Sequence, residues 1–599
     1  MEHLAWYLSS MASAIQIMPL LRAALACILL YQIDCLVVVS AWLARKLKLL
    51  PSSCELETGN RLPAVLVLPT LLRRESELEG LMEAMRSAAS NRYPGKLLVV
   101  ACIDGSGERP DLVARLRGLA KAEHVTGNVQ LHVAGTEARG GKAVAMHAGV
   151  DYVRRLIDTG KLREFPTLFF NMDADSALGP GALERMAFTL TRKRWLARVP
   201  RMIVTSNVEV PISECWGGWR GFAGMKQWMS LLVAREYLTS ISLGRHNSKL
   251  LPATGVSGAL YCTWSQIHLE APRYAGYMQS LRLVDWLKWW IGIAPPRFST
   301  YQGDELPEAM TGPGDDTWMA WMACTGTWKG ARICFDAPRT PLHAFGRMVL
   351  TYFSRPLGYD ARAKVFTKTP TKPLALFRQR LRWNSSRVQD LLRWAPSNAF
   401  HWQVAFPALL GVALVLVSNA AFLASLFLPF ILASSVSTAL PMALLTAVGY
   451  SLVRVVGTVS ALLVAECSAR DWLKLLVLPF AGIYHLVFNT LTTIIGFSRD
   501  IFGFGEPTTF SPESTLRKSR LSRIALAYRL RRALLLTCRA AVFGDVPLGW
   551  FWLGWRETPW TSNGFDGWTS GVRPPRVYWP APGAMPSSSP VFNEQVVEP

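Results

Sequence analysis

Three acidic clusters stand where apolar runs give way to small or polar residues. Asp104 lies in CIDGSG, Asp173 and Asp175 in FNMDADS, and Asp315 and Asp316 in GPGDDTW. A D-x-D pair at a strand end offers hard oxygen ligands, suited to Mg2+ or Mn2+ held against diphosphate oxygens. A second carboxylate can accept a hydrogen bond from a nucleotide base, and a third can deprotonate an attacking hydroxyl as general base. The chemistry that needs all of these is transfer of a group from a nucleotide-activated donor, with the cation neutralising the leaving diphosphate. Each motif alone is weak, because D-x-D occurs by chance and a lone Asp in a glycine turn is more often structural. The ordered set is far more specific.

Other residues fit the same chemistry. GGKAVAMHAG places Lys142 in a glycine-preceded turn that opens a helix, a position suited to a diphosphate. A solvated lysine at a helix start explains Lys142 about as well. ATGVSGAL is a small-residue loop that lets an acceptor approach the backbone closely. FRQRLRWNSSR brings together Gln379, Arg380, Arg382 and Trp383. Indole faces stack on sugar rings, and guanidinium groups contact phosphate or carboxylate. A basic interfacial helix is the structural alternative for this segment.

These side chains require elements that bring them together. Apolar runs at 64–69, 97–103, 129–135 and 167–173 read as strands, separated by amphipathic stretches. One of those, 75–90, has Leu78, Leu81, Met82 and Met85 at helical spacing. Alternating strands and helices predict an α/β domain with a largely parallel, twisted sheet. Ligands of such sheets bind beyond the carboxyl ends of the strands, where the acidic residues fall.

The surroundings of this domain are apolar. Of 599 residues, 50% are hydrophobic and 23 are tryptophan, more than one soluble core needs. A run near 18–42 is long enough for one transmembrane helix, although Arg22 and Asp34 interrupt it. A signal peptide fits less well, since positive charge follows the run rather than preceding it. Arg45, Lys46 and Lys48 place the following domain in the cytosol by the positive-inside rule. Three further helices are expected near 403–433, 438–466 and 472–497, and the first stretch leaves room for a fourth crossing. Residues 514–541 carry eight basic side chains from Arg517 to Arg539 among apolar ones, a pattern that suits an anionic cytosolic leaflet. Three crossings would put that segment outside, so the number of crossings stays open.

The net charge of +22 is compatible with membrane lipids or an anionic substrate. No zinc-finger spacing or long basic arm supports nucleic acid. The ten cysteines form no CxxC pair and read as free thiols in a reducing compartment.

In this order the residues resemble inverting family 2 glycosyltransferases of the processive polysaccharide-synthase type, such as cellulose, chitin, hyaluronan and alginate synthases. The resemblance runs from about Leu62 to Trp383, plus the flanking membrane helices. It implies a cytosolic GT-A-like (Rossmann-like mixed sheet) domain on an integral protein of the cell (inner) membrane. By the same resemblance Asp104, Lys142 and Asp173 bind the nucleotide sugar, and Asp173 and Asp175 bind Mg2+ or Mn2+. Asp316 is the catalytic base, and Asp315 with the Q-x-x-R-W residues Gln379, Arg382 and Trp383, and Arg380 beside them, lies at the acceptor and channel entrance. The partners it implies are a nucleotide-sugar donor, a polysaccharide or glycan acceptor, membrane lipids, and an export or co-polymerase protein.

The domain plan is a membrane segment at 1–50, the transferase domain at 51–400, and C-terminal membrane helices at 401–498. A basic amphipathic segment at 499–543 and an irregular Pro- and Trp-rich tail at 544–599 follow. The transferase domain carries an insertion at about 263–303, where Trp286, Trp289 and Trp290 suit an interfacial or a core-packing helix, and interfacial helices at about 370–395. The insertion and LHAFG, with His343 as a third ligand or a structural residue, look like alginate synthases. Two departures stand out: Ile103 precedes Asp104 where the family often has a second acid, and LLRRESE with Glu75 replaces a short Asn-Glu sequence. The alternatives are a non-processive transferase with a lipid acceptor, and a catalytically dead membrane scaffold or receptor.

Overall fold

The computed structural model describes residue 9 and residues 19–47, 61–123, 127–192, 199–210, 225–241, 255–301, 315–330, 332–370, 372–432, 436–465, 467 and 469–502. The expected basic segment beyond residue 502 and the tail at 544–599 lie outside the described residues.

An eight-stranded mixed sheet forms the centre, in the order β3-β2-β1-β4-β7-β6-β10-β5. Strands β1 (Ala64–Thr70), β2 (Leu97–Ile103), β3 (Val129–Gly135) and β4 (Leu168–Met172) are mutually parallel and match the four expected runs. The sheet departs from the parallel expectation beyond β4. There β7 (Leu260–Trp264) runs antiparallel to both β4 and β6 (Ile203–Glu209). β10 (Leu357–Thr367) then runs parallel to β6, and the short β5 (Ser176–Leu178) closes the edge antiparallel to β10. A hairpin of β8 (Thr327–Lys329) and β9 (Arg332–Cys334) stands apart.

Side chains alternate across a strand, so β1 feeds two cores. Ala64, Leu66 and Leu68 face one layer, which includes Leu78, Leu81 and Met85 of α2 (Glu75–Ala89) and Leu112 and Leu116 of α3 (Pro110–Ala122). Met186 of α5 (Ala182–Thr191) and Leu232 of α6 (Met225–Tyr237) complete that side. Val65 and Val67 face the other layer, with Val150 of α4 (Lys142–Asp158), Tyr274 of α7 (Ser265–Ser280) and Trp318 of α9 (Asp315–Thr325). Both faces of the parallel strands are therefore covered, which is why they read as unbroken apolar runs rather than alternating ones.

Among the described residues three helices are long and apolar enough to cross a membrane: Trp402–Ile431 in α13 (Trp402–Leu432), Ala439–Val464 in α14 (Val436–Val464), and α15 (Asp471–Phe497). They match the three expected crossings. The N-terminal segment forms helix α1 (Pro19–Lys46), which packs against α13 and α14. Here the structure departs from the expected crossing at 18–42: the apolar stretch is Ile28–Ala44, which begins after Arg22, still contains Asp34 and is shorter than a full crossing. The described cysteines, including Cys35, Cys102 and Cys334, are free thiols.

Two helices, one in the insertion region and one beyond it, present apolar side chains outward next to α13. In α8 (Leu283–Trp290), Trp289 is fully buried, with its indole N–H donating to the Pro338 carbonyl at 2.8 Å, while Leu287 and Trp290 are exposed. Helix α8 thus serves packing on one side and an open apolar face on the other. Helix α10 (Pro341–Ser354) packs against α13 and exposes Leu342, Leu350 and Phe353. Exposed apolar side chains of this kind, interspersed with Lys288 and Arg347 beside long apolar helices, are what an in-plane membrane helix presents. The segment expected to be interfacial at 370–395 forms α11 (Pro373–Arg393) and the short α12 (Ala395–Phe400).

Candidate active site

Asp104 follows the carboxyl end of β2, and Asp173 follows that of β4. Because these strands flank β1 in parallel, both acids reach the same edge of the sheet. Asp104 is buried, and its carboxylate closes the turn ahead of α4. Gly140 N–H donates to Oδ1 at 2.8 Å and Gly141 N–H to Oδ2 at 3.0 Å. Gly141 takes φ of 93°, a conformation that favours glycine, and this turn hands the chain to Lys142 at the first position of α4. Lys142 Nζ then reaches Asp173 Oδ1 at 2.7 Å. One chain of contacts therefore joins Asp104, the diglycine, Lys142 and Asp173.

The second acid of the pair, Asp175, is an exposed residue whose carboxyl is nevertheless pushed up to about 6. Desolvation by the surrounding protein comes first, then the like charge of Asp173, with Lys142 pulling the other way. Water screens part of this push. A carboxylate pair that crowds its own charge suits a divalent cation, which would supply the missing positive partner. Among the described residues no group of three or more His, Cys, Asp or Glu side chains stands close enough to hold an ion alone. A cation at Asp173 and Asp175 would thus complete its shell with ligand oxygens and water, as Mg2+ commonly does.

Asp316 arrives in the first turn of α9, a helix of the same layer as α4, where Thr317 N–H donates to its Oδ1 at 3.0 Å. The small-residue loop joins it to the metal-type pair. A Cβ built on Gly258 would lie 3.5 Å from Asp316 Oδ2, and the next residue, Ala259, accepts the Asp173 N–H at 3.1 Å. Asp315 occupies the first position of α9.

The Q-x-x-R-W residues lie on α11, which packs against Leu491–Phe502, a helical segment that starts inside α15 and runs past its end. Asn384 fastens it there, donating to Thr492 Oγ1 at 2.9 Å. Trp383 is half-buried and stacks on Tyr237 of α6 with ring centroids 6.0 Å apart. Arg380 lies 4.3 Å over the Trp383 ring and is itself buried, donating to Glu236 Oε2 at 2.6 Å. Burial works against that guanidinium's charge, and Glu236 works for it. Gln379 keeps a buried Oε1 without a hydrogen bond among the described residues, and Arg382 is half-buried.

Glu236 and Tyr237 were not singled out in the sequence. Their signal was a charged Arg235–Glu236 pair inside the apolar helix SLLVAREYL, a costly arrangement unless the charges are used. Burial pushes the Tyr237 hydroxyl up to about 12, Arg380 opposes the shift, and Glu236, Asp175 and Asp173 add to it, so Tyr237 feels charges from both groups of residues. His343 lies apart, on α10. Its ring nitrogens are 3.3 Å from Arg339 N and 3.2 Å from Arg347 Nε, a structural helix-start role. Glu75 is exposed and pairs with Arg115 at 2.8 Å.

Fold and site together define an α/β domain with an acidic rim at one sheet edge, joined to helices long enough to span a membrane. The chain matches no protein-family model and no curated protein.

Proposed function

We propose that this protein is a membrane-bound inverting glycosyltransferase. It would transfer a sugar from a nucleotide-sugar donor to a growing polysaccharide, processively and coupled to export, with a GT-A-like domain on the cytosolic side of the cell (inner) membrane. The observation that carries the reading is the meeting of Asp173, Lys142 and Asp316 around Gly258 and Ala259. Residues 31 to 174 positions apart in the chain come together at the edge where α/β sheets bind ligands.

In this reading Lys142 contacts the donor diphosphate, and Asp173 and Asp175 hold Mg2+ or Mn2+. The cation, when bound, stabilises negative charge on the departing nucleoside diphosphate. Asp316 accepts the proton of the acceptor hydroxyl as that oxygen bonds to the anomeric carbon. The bond from that carbon to the diphosphate breaks, and its electron pair leaves with the nucleotide. A single displacement of this kind inverts the configuration. Asp104 acts by holding the Gly140–Gly141 turn, so its part in donor binding is to present Lys142. Trp383 and Tyr237 give the acceptor an aromatic surface.

The test is to incubate the purified full-length protein with a panel of nucleotide sugars and measure nucleoside diphosphate release with Mn2+ and with a chelator. Metal-dependent release with at least one donor, together with a polymer or ladder of products, supports the reading. A single glycolipid product would replace the polymerase by a lipid glycosyltransferase. No release with any donor would leave a scaffold.

A further inference from the structure

Where the domain meets its long helices, the end of α6 addresses four other helices at once. Successive residues of a helix point about 100° apart, so a single turn can do this. Arg235 is only 6% exposed; burial works against its charge, Arg454 of α14 adds to that, and Glu236 opposes it. Glu236 Oε2 accepts from Arg380 Nη2 of α11 and from the Tyr484 hydroxyl of α15, both at 2.6 Å. Tyr237 stacks on Trp383 of α11. Leu238, the next residue, lies in one apolar cluster with Cys35 and Val38 of α1 and Ala461 and Leu462 of α14. Earlier in α6, Trp228 meets Phe480 of α15 edge to face at 5.3 Å, so two points of contact tie these helices together.

Charge makes Glu236 the pivot of this turn. Arg235, Arg380 and Arg454 all lie within electrostatic reach of its carboxylate, so three guanidinium groups gather around one acid. Arg380 passes the constraint on to the aromatic surface. Its guanidinium stands 4.3 Å over the Trp383 ring and 5.4 Å over the Tyr237 ring. A guanidinium is planar and rigid, so the carboxylate that holds one edge sets the tilt of its face. That face is what attracts the indole. The orientation of Trp383 therefore traces back to Tyr237 directly and to Glu236 by way of Arg380. Through Tyr484, the same oxygen of Glu236 also answers to α15.

We propose that Glu236 is a positioning residue for the acceptor step. It fixes the Trp383 ring through Arg380, and through Tyr484 it keeps that ring in register with the long helix α15. This rests on the transferase reading above and adds to it a residue that no sequence motif marks.

The test uses the full-length protein in phosphatidylcholine nanodiscs, labelled with 5-fluorotryptophan. The fluorine resonance of Trp383 is identified by its loss in Trp383→Phe. Glu236→Gln removes the charge at nearly constant shape, Glu236→Asp keeps the charge, and Tyr484→Phe removes one hydroxyl while leaving Arg380 paired. The Trp383 resonance should move in Glu236→Gln and in Tyr484→Phe. Sugar incorporated into product per nucleoside diphosphate released should fall about tenfold in Glu236→Gln, because donor is then hydrolysed before the misplaced acceptor can react. The loss should be smaller in Tyr484→Phe, and Glu236→Asp should recover part of it. A Trp383 resonance that stays in place in both variants would overturn the proposal. So would an unchanged yield per nucleotide accompanied only by a lower unfolding midpoint, which would make Glu236 a stabilising partner of Arg380 and nothing more. Should Glu236→Gln fail to fold, Tyr484→Phe decides by the same two readouts. Absence of metal-dependent turnover in the wild type defeats the transferase reading, while the Trp383 resonance still decides whether Glu236 and Tyr484 position that ring.

Discussion

The acidic rim and the junction with the long helices are neighbours built on opposite plans. At the rim, carboxylates gather around one lysine in side chains that water reaches: the Lys142 and Asp173 side chains are 31% and 34% exposed. At the junction, guanidinium groups gather around one carboxylate out of water, with Arg380 3% and Glu236 18% exposed. The rim has charge to spare for a cation and can change partners cheaply. The junction has its charges locked by burial, so its groups act on stability as well as on ligands. The difference separates residues expected to govern turnover from residues expected to govern folding.

The largest effect should come from the rim. Asp316→Asn should lower transfer by roughly 10²–10⁴-fold, the usual contribution of a general base, with nucleotide affinity and melting temperature unchanged. A parallel loss of nucleotide affinity would mean that Asp316 belongs to the donor site instead. At the junction the order should reverse. Arg380→Ala strands the Glu236 carboxylate and should destabilise the protein by about 3–5 kcal/mol, visible as a lower unfolding midpoint in detergent. An unchanged midpoint would erase the contrast between the two regions.

Smaller effects sharpen it. Asp104→Ala leaves the Gly140 and Gly141 N–H groups without their acceptor, a loss of about 1–3 kcal/mol, and should weaken Mn2+–nucleotide binding by loosening Lys142. Retained affinity with reduced stability would confine Asp104 to a structural role. The smallest is a pH effect. Burial and the neighbouring Asp173 charge push the Asp175 carboxyl up to about 6 from the ordinary 3.8, so without a cation the folded state keeps an extra proton between those values. Cation-free stability should therefore fall as pH rises through that window. Mn2+ affinity should run the other way, declining up to about tenfold per unit as the pH drops below 6, because the proton and the cation compete. A flat titration curve in Asp175→Asn and a sloped one in the wild type would locate the effect.

The sequence made much of the rim legible, because Asp104 and Asp173 end apolar runs that match β2 and β4, and α/β geometry then dictates where strand ends lead. The three long helices were equally readable from length and composition. The far half of the sheet was not, since β10 pairs with β6 across about 150 residues and nothing local in GYDARAKVF announces that partner. The junction was half legible. Arg380 and Trp383 stood out as motif residues, yet the Arg380 partner Glu236 lies 144 positions away, outside every motif read in the sequence. Spacing identifies residues of one element; it does not reveal which two elements will face each other.

The short segment Gly258–Ala259 has a mechanical corollary. Gly258 lies beside the Asp316 carboxylate, and the Ala259 carbonyl accepts the backbone N–H of Asp173. A shift of this short segment when a donor seats would carry the two acids along together, keeping proton acceptor and cation holder in step. A pair of distant residues could then be timed by the stiffness of two consecutive residues.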